Sequence, residues 1–326
     1  MTARLPELPP IAAFAFEGGP ARELSWDQIA SFKGSSGFLW VHLHRTESSH
    51  VDWLQQQAGL DELSCEILLE EETRPRFVVG SDHVIVIMRG VNLDPEEDPD
   101  DMVSLRLWIG RDRIISLRKR RLMAIQDVRK VLHSGAVLRS PVELFVNITE
   151  CLLDRQIPVV DSLEDIIDTI EEELLDGLSL DRRRHIGACR RQAIGLRRYL
   201  APQRDVLARL ASDRVPWFDD ICRAQMREVA ERQARLVEEL DAVRDRAALA
   251  SEELAGRMSE RLNRNMYVLS LVAAVFLPLS FVTGLLGINV GGIPGATEQQ
   301  AFWIVCGGLT VIAAVVLWLF RRLRMM

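Results

Sequence analysis

No two of the five cysteines, Cys65, Cys151, Cys189, Cys222 and Cys306, form a CxxC pair. Their scatter offers no thiolate zinc ribbon and no disulfide framework, so a reducing compartment is expected for most of the chain. Basic excess is missing too. The formal net charge is -7 and the pI about 5.5. That balance argues against a dedicated nucleic-acid binder and is compatible with a domain that meets cations. There is no GxSxG, no Walker A loop and no HExxH. Hydrolysis by these devices, and ATP-driven work by this chain, are therefore not expected; the chain does not read as an enzyme and implies no cofactor. The opening MTARLPELPPIAAFAFEGG has one arginine and no continuous apolar core, so a cleaved leader is not expected.

The longest absence is of charge. No residue is charged from Asn265 to Thr297, and none from Gln299 to Phe320. The two runs hold MYVLSLVAAVFLPLSFVTGLLG and AFWIVCGGLTVIAAVVLWLF. Each is long enough to cross a hydrocarbon core of about 30 Å at about 1.5 Å per residue. The join, GINVGGIPGATEQQ, is short and rich in Gly, so the two spans are expected to be antiparallel neighbours in lipid. Arg257, Arg261 and Arg264 precede the first span, and Arg321, Arg322 and Arg324 follow the second. The positive-inside rule then puts both termini in the cytoplasm and the loop outside.

The remainder reads as an α+β soluble region. Residues 1–135 mix strand and helix signals. FLWVHLH (Phe38 to His44), FVVGSDHVIVIMRGVNL (Phe77 to Leu93) and SLRLWIGRDRIISLR (Ser104 to Arg118) are rich in β-branched and aromatic residues. Gly80-Ser81-Asp82 and Gly110-Arg111-Asp112 suit hairpin turns. A helical stretch is expected from Ser48 to Glu71, and DPEEDPDD (Asp94 to Asp101) is an acidic link between strands. Residues 136–264 are helical. Pro141 suits a first helical position. An acidic helix is expected from near Pro158 to Gly177, then a long helical run from Asp181 with breaks at Pro202 and around Val215-Pro216-Trp217. After Phe218 the apolar positions Val229, Leu236, Leu240, Val243, Leu254, Met258 and Leu262 form the seam of a long stalk helix. Nothing in one chain is expected to cover its whole length, which suggests bundling with copies of itself. The domain divisions expected are 1–135, 136–264, a first span at 265–287, an outer loop at 288–300, a second span at 301–320 and a basic tail at 321–326.

Within the first span, Asn263, Met266, Ser270, Ala273, Leu277, Ser280 and Gly284 fall on one helical face. The opposite positions, Val268, Leu271, Val272, Val275, Leu279 and Val282, are bulky and apolar. A small, weakly polar stripe in lipid either packs tightly on a neighbour or lines a water path. Gly287-Ile288-Asn289 lies where this helix must stop. Asn289 there is either a capping residue of an ordinary loop or one member of a ring of uncharged oxygen dipoles. Such a ring suits a hydrated divalent cation, since magnesium sheds its water reluctantly. Glu298, the one charge of the outer loop, is either a solvated carboxylate or a focus for cations. The acidic helix is either solvated or a cation-gathering surface. The DPEEDPDD segment has hard oxygen ligands without EF-hand spacing. His42 and His44 share a strand face but lack an obvious third zinc ligand. Met266 reads as a hydrophobic constriction, and Arg182, Arg183, Arg184, Arg190 and Arg191 as partners of the acidic helix rather than of nucleic acid. A membrane-anchored scaffold or sensor is the competing class.

The string LPLSFVTGLLGINVGGIPG (Leu277 to Gly295), with EETRPR (Glu71 to Arg76) and WIGRDRIISLRKR (Trp108 to Arg120), resembles the CorA-type metal ion transporters. That family's signature here is Gly-Met-Asn; Gly287-Ile288-Asn289 is the variant of its zinc-transporting ZntB branch. The resemblance covers essentially the whole chain. It implies a homopentamer in the bacterial inner membrane, with an α/β cytoplasmic funnel, a stalk helix running into a pore-lining first span, and an outer ring of second spans. It implies Asn289 as selectivity-filter residue, with Gly287 and Ile288 shaping its mouth. Ile in place of Met favours zinc, and the branch implies coupling to protons. Magnesium or cobalt passage of the CorA type is the alternative.

Overall fold

The computed structural model describes residues 6, 8–32, 34, 37–71, 73–93, 98, 100–176, 180–212, 215, 218–288 and 300–322. The chain divides into two units, Met1–Ser251 and Glu252–Met326.

The first unit is built on a seven-stranded sheet. Its strands are β1 (Ala12–Phe16), β2 (Arg22–Glu23), β3 (Phe38–His44), β4 (Arg76–Val79), β5 (His83–Gly90), β6 (Val103–Gly110) and β7 (Arg113–Arg118). Their order is β2-β1-β3-β7-β6-β5-β4. Only β3 and β7 pair in parallel, with Leu39 opposite Arg113 and His44 opposite Arg118. The other pairs are antiparallel. Both expected hairpins are present, β4–β5 and β6–β7. The first is closed by the Gly80 amide donating to the His83 carbonyl at 2.9 Å. β3 occupies the residues that its run of β-branched and aromatic side chains marked. At its start a Cβ on Gly37 would lie 1.8 Å from the Phe16 carbonyl oxygen, so only glycine fits there.

Alternate residues of the central strands feed two cores. On one face Leu39, Val41, Leu43, Ile115 and Leu117 pack with Trp26, Trp53, Leu54 and Leu68. Those belong to α1 (Trp26–Ser31), α2 (Ser48–Gln56) and α3 (Glu62–Leu69). On the other, Trp40 stacks on Phe14, and Phe14 meets the edge of His133. His133 ends α4 (Met123–His133), whose Ile125, Val128 and Leu132 are buried. Here α5 (Pro141–Asp176) also covers the sheet; Thr149 reaches Met88 of β5, Oγ1 to Sδ 3.9 Å.

α5 opens at Pro141, as its fixed φ suits, with the Ser140 hydroxyl accepting from the Glu143 amide at 3.2 Å. The helix start expected near Pro158 and the break expected at Pro202 are both absent. α5 runs through Pro158, and α6 (Leu180–Ser212) runs through Pro202. A proline frees the carbonyl four residues earlier. Those carbonyls belong to Asp154 and Arg198, both exposed, where water can satisfy them. Burial of Val160, Leu163 and Ile167 around one proline, and of Leu200 and Leu207 around the other, then outweighs the lost bond. Gly177, the expected end of the acidic helix, lies outside the described residues.

α7 (Asp220–Leu286) follows, its first turn capped by Asp219, whose Oδ1 accepts from the Cys222 amide at 2.6 Å. It is held to α5 and α6 by side-chain pairs. Arg232 reaches Asp154 at 2.8 Å, Arg197 reaches Asp241, and Arg246 grips both Asp168 and Glu171. The acidic stretch of α5 is therefore met by α7. Gln203 links the helices to the sheet: its Nε2 donates to Gln233 at 3.2 Å and its Oε1 accepts from the Arg89 amide at 2.8 Å. All three glutamines of this buried set, Gln156, Gln203 and Gln233, are fully enclosed.

The second unit holds the remainder of α7 and α8 (Ala301–Arg322). Both helices are long and apolar enough to cross a membrane.

Candidate ion-conducting segment

No residue of α7 beyond Leu254 is buried, although from Met266 onward the helix is largely apolar. Leu277 is 69% exposed, Phe281 71% and Met266 66%. On α8, Trp303 and Ile304 are equally open. Apolar surface of this extent requires lipid or partner copies.

Shelter within the unit is one-sided. Tyr267, Leu271, Ala274, Val275, Pro278, Leu279 and Val282 are half-buried. On α8 the half-buried positions are Ala301, Val305, Leu309, Ile312, Val316 and Phe320, with Cys306 and Ala313 beside them. Spacings of three and four on both helices describe two helices packed along a seam. Asn263, Met266, Ser270, Ala273, Leu277, Ser280 and Gly284 are all exposed. Taking 3.6 residues per turn, this stripe is centred roughly 130° around α7 from the sheltered seam. Of the bulky positions set opposite it, Leu271, Val275, Leu279 and Val282 belong to the seam, while Val268 and Val272 stay exposed.

The end of the helix is polar in its backbone. Thr283 donates back to the carbonyls of Leu279 and Ser280 at 3.0 and 3.1 Å. The Gly287 amide then donates to the carbonyls of Thr283 at 2.9 Å and Gly284 at 3.2 Å, closing the last turn. An added Cβ at Gly287 would meet the Thr283 oxygen at 3.1 Å, whereas Gly284 has nothing within 4 Å. Gly284 thus leaves room for close approach from outside this chain. Ile288 is half exposed. Asn289 and Glu298 lie outside the described residues, as do residues 94–97 and 99 of the acidic link.

The two histidines of β3 have separate surroundings. His42 is fully buried, its Nδ1 2.8 Å from Ser116 Oγ, a hydroxyl that also accepts from Trp40 Nε1. Burial and the nearby Arg118 hold its imidazole well below the ordinary value. His44 is half-exposed and turns to Thr46 instead. Among the described residues no three of His, Cys, Asp and Glu gather as a metal cage.

A family model described as CorA-like Mg2+ transporter protein matches residues 35–322. The chain belongs to the CorA family. It is accordingly a membrane transporter of divalent cations and not an enzyme. The divalent cation transporter CmaX of Pseudomonas aeruginosa is 41% identical over 288 residues, 88% of this chain and 87% of CmaX. The zinc transport protein ZntB of Yersinia pseudotuberculosis is 36% identical over 313 residues, 96% of this chain and 94% of that protein. A structure of full-length CmaX superposes with a TM-score of 0.85 at 38% identity, covering 99% of this chain and all of that one. The CorA magnesium transporter of Methanocaldococcus jannaschii shares the fold, with a TM-score of 0.81 at 21% identity over 96% of this chain and 98% of that one. The expected α+β domain, long helix and two C-terminal apolar helices are thus a CorA-family architecture.

One group of residues carries a signal in the sequence that points to a buried polar site. Arg89 and Arg106 sit within otherwise apolar strands β5 and β6, and Arg106 is 1% exposed. An arginine inside a run such as SLRLWIG is itself the signal that could have found it.

Proposed function

We propose that this chain conducts zinc across the bacterial inner membrane as a homopentamer, with both termini in the cytoplasm and with transport coupled to protons. The face of α7 carrying Asn263, Met266, Ser270, Ala273, Leu277, Ser280 and Gly284 lines the pore. Gly287, Ile288 and Asn289 form its filter, where Asn289 offers an uncharged oxygen to a hydrated cation. Glu298 at the outer mouth focuses cations toward it.

The observation that supports this reading is the one-sided shelter of the first span. The weakly polar stripe is left open within the chain, on the side away from the seam with α8. In a ring of copies that is the face available to water, and the greasier remainder is available to lipid. The zinc assignment rests on Ile288 and on likeness to a zinc transport protein. Magnesium is the second reading, favoured by the description of the family model.

The test is metal flux into proteoliposomes, zinc against magnesium, with and without an inward proton gradient. Zinc flux raised by the gradient is expected. Magnesium flux indifferent to it would return the protein to CorA-type passage. Asn289→Ala is expected to abolish flux while the oligomer stays intact by sedimentation; full transport by that variant would sink the filter assignment.

A further inference from the structure

Glu71, Thr73 and Arg74 of one sequence segment, and Lys119 and Arg120 of another, converge in the first unit on a cavity of about 670 Å³. β5 and β6 contribute Arg89 and Arg106, the end of β3 contributes Arg45, and α6 contributes Arg198 and Tyr199. A volume of several hundred cubic ångströms is that of a small-molecule site.

The charge of its wall is unbalanced. Among the described lining residues seven side chains are cationic and two, Glu71 and Asp101, are anionic. Asp101 is already engaged by Arg120 at 2.6 Å. Glu70, just outside the wall, is paired with Arg76. The three deepest guanidiniums are held by neutral oxygens. Arg106 donates to the carbonyls of Leu68 at 2.8 Å and Glu71 at 3.3 Å, and to the Ser104 hydroxyl at 3.3 Å. Arg45 donates to the carbonyls of Leu69 at 2.9 Å and Glu70 at 3.2 Å. Arg89 donates to the carbonyls of Met102 at 2.8 Å and Thr73 at 2.7 Å. Two polar atoms of the lining, Arg89 Nε and Thr73 Oγ1, have no partner. Burial, with Arg45 and Arg89 adding repulsion, brings Arg106 down to about 10. Buried charges are ordinarily paired, and like charges gathered without a counterion are costly.

We propose that this cavity binds a small, multiply charged phosphate-bearing anion, with Arg45, Arg89 and Arg106 as its floor and Arg74, Lys119 and Arg198 at its rim. Planar guanidinium forks match phosphate oxygens two at a time. Recognition is of the phosphates rather than of a base, because the Tyr199 ring is already covered by Arg89 at 4.6 Å and Arg198 at 5.4 Å. The site goes beyond the transport reading and does not depend on which metal is carried.

Calorimetry on the full chain in detergent, in metal-free buffer, tests it with tripolyphosphate, ATP and AMP as probes. Saturable binding of tripolyphosphate and ATP with similar affinity, and weaker binding of AMP, is expected. Lys119→Gln and Arg198→Gln, at exposed positions that leave the core alone, should each weaken binding about ten-fold, the loss of one charge-assisted bond, and the double variant should weaken it further. Arg198→Lys should restore most of it. No binding of any probe would mean that the chain balances these charges itself, and overturns the proposal. Binding undiminished in the double variant places the anion elsewhere and overturns it equally. ATP binding without tripolyphosphate binding would refute phosphate recognition.

Discussion

One helix is built in two ways along its length. From Cys222 to Leu254, α7 buries Met226, Val229, Leu236, Val237, Leu240, Val243 and Ala247. Beyond Leu254 the same period continues through Met258 and Leu262, yet Met258 is only half-buried and Leu262 is 61% exposed. From there to Leu286 no residue of α7 is buried, although the sequence is more apolar than before. A hydrophobic seam therefore does not say what covers it. In the first stretch α5 and α6 of the same chain do so, while the whole length of the helix is not covered by one chain, as expected. In the second, cover must come from outside the chain.

The comparison breaks most visibly under truncation. Leu240→Ala removes a side chain with no exposed surface, and should cost about 2–5 kcal/mol in a denaturant titration of the detergent-solubilised protein. Leu277→Ala should leave that transition almost unmoved and act on assembly, read by sedimentation. Equal destabilisation by both would mean that the second stretch is already covered within one chain.

A smaller effect separates the stretches by acid. His42 is buried in the sheet with its pKa lowered by desolvation first, then by Arg118, and His44 is lowered for the same two reasons. Between the folded and unfolded values the unfolded chain binds more protons, so stability rises with pH there. This contribution is complete above about 6.5, the unfolded value. It is lost as pH falls from there through the lowered folded value. Thermal midpoints of the first unit should drop below that pH, by about 2–4 °C for each kcal/mol lost. His42→Gln should flatten the slope in part, leaving the share of His44. An unchanged slope would locate the sensitivity elsewhere.

Much of this contrast was legible in residue order. The charge-free runs marked the two spanning helices, and the aromatic and β-branched run Phe38 to His44 marked β3. What was not legible has physical causes. β1, AAFAF, is fully buried but is mostly alanine, a weak strand former, so it carries little signal. Pro158 and Pro202 read as punctuation because propensity is local, whereas the burial that overrides them is tertiary. The basic cavity was hidden because Arg45, Arg89, Arg106 and Arg198 are far apart in sequence and are joined only by sheet order and the placement of α6. The stripe from Asn263 to Gly284 was readable from spacing alone, but its openness required knowing where α8 lies.

The finest division within the second stretch is charge. Glu298 is the one charged residue between Arg264 and Arg321. If it acts at a distance, Glu298→Gln should lower zinc uptake by about two-fold at low ionic strength. At about 1 M salt the screening length shrinks to roughly 3 Å, and the deficit should vanish. A deficit that persists at high salt means that the carboxylate touches the ion or its water directly. In that case the segment carrying Glu298 joins Gly287, Ile288 and Asn289 in the proposed filter.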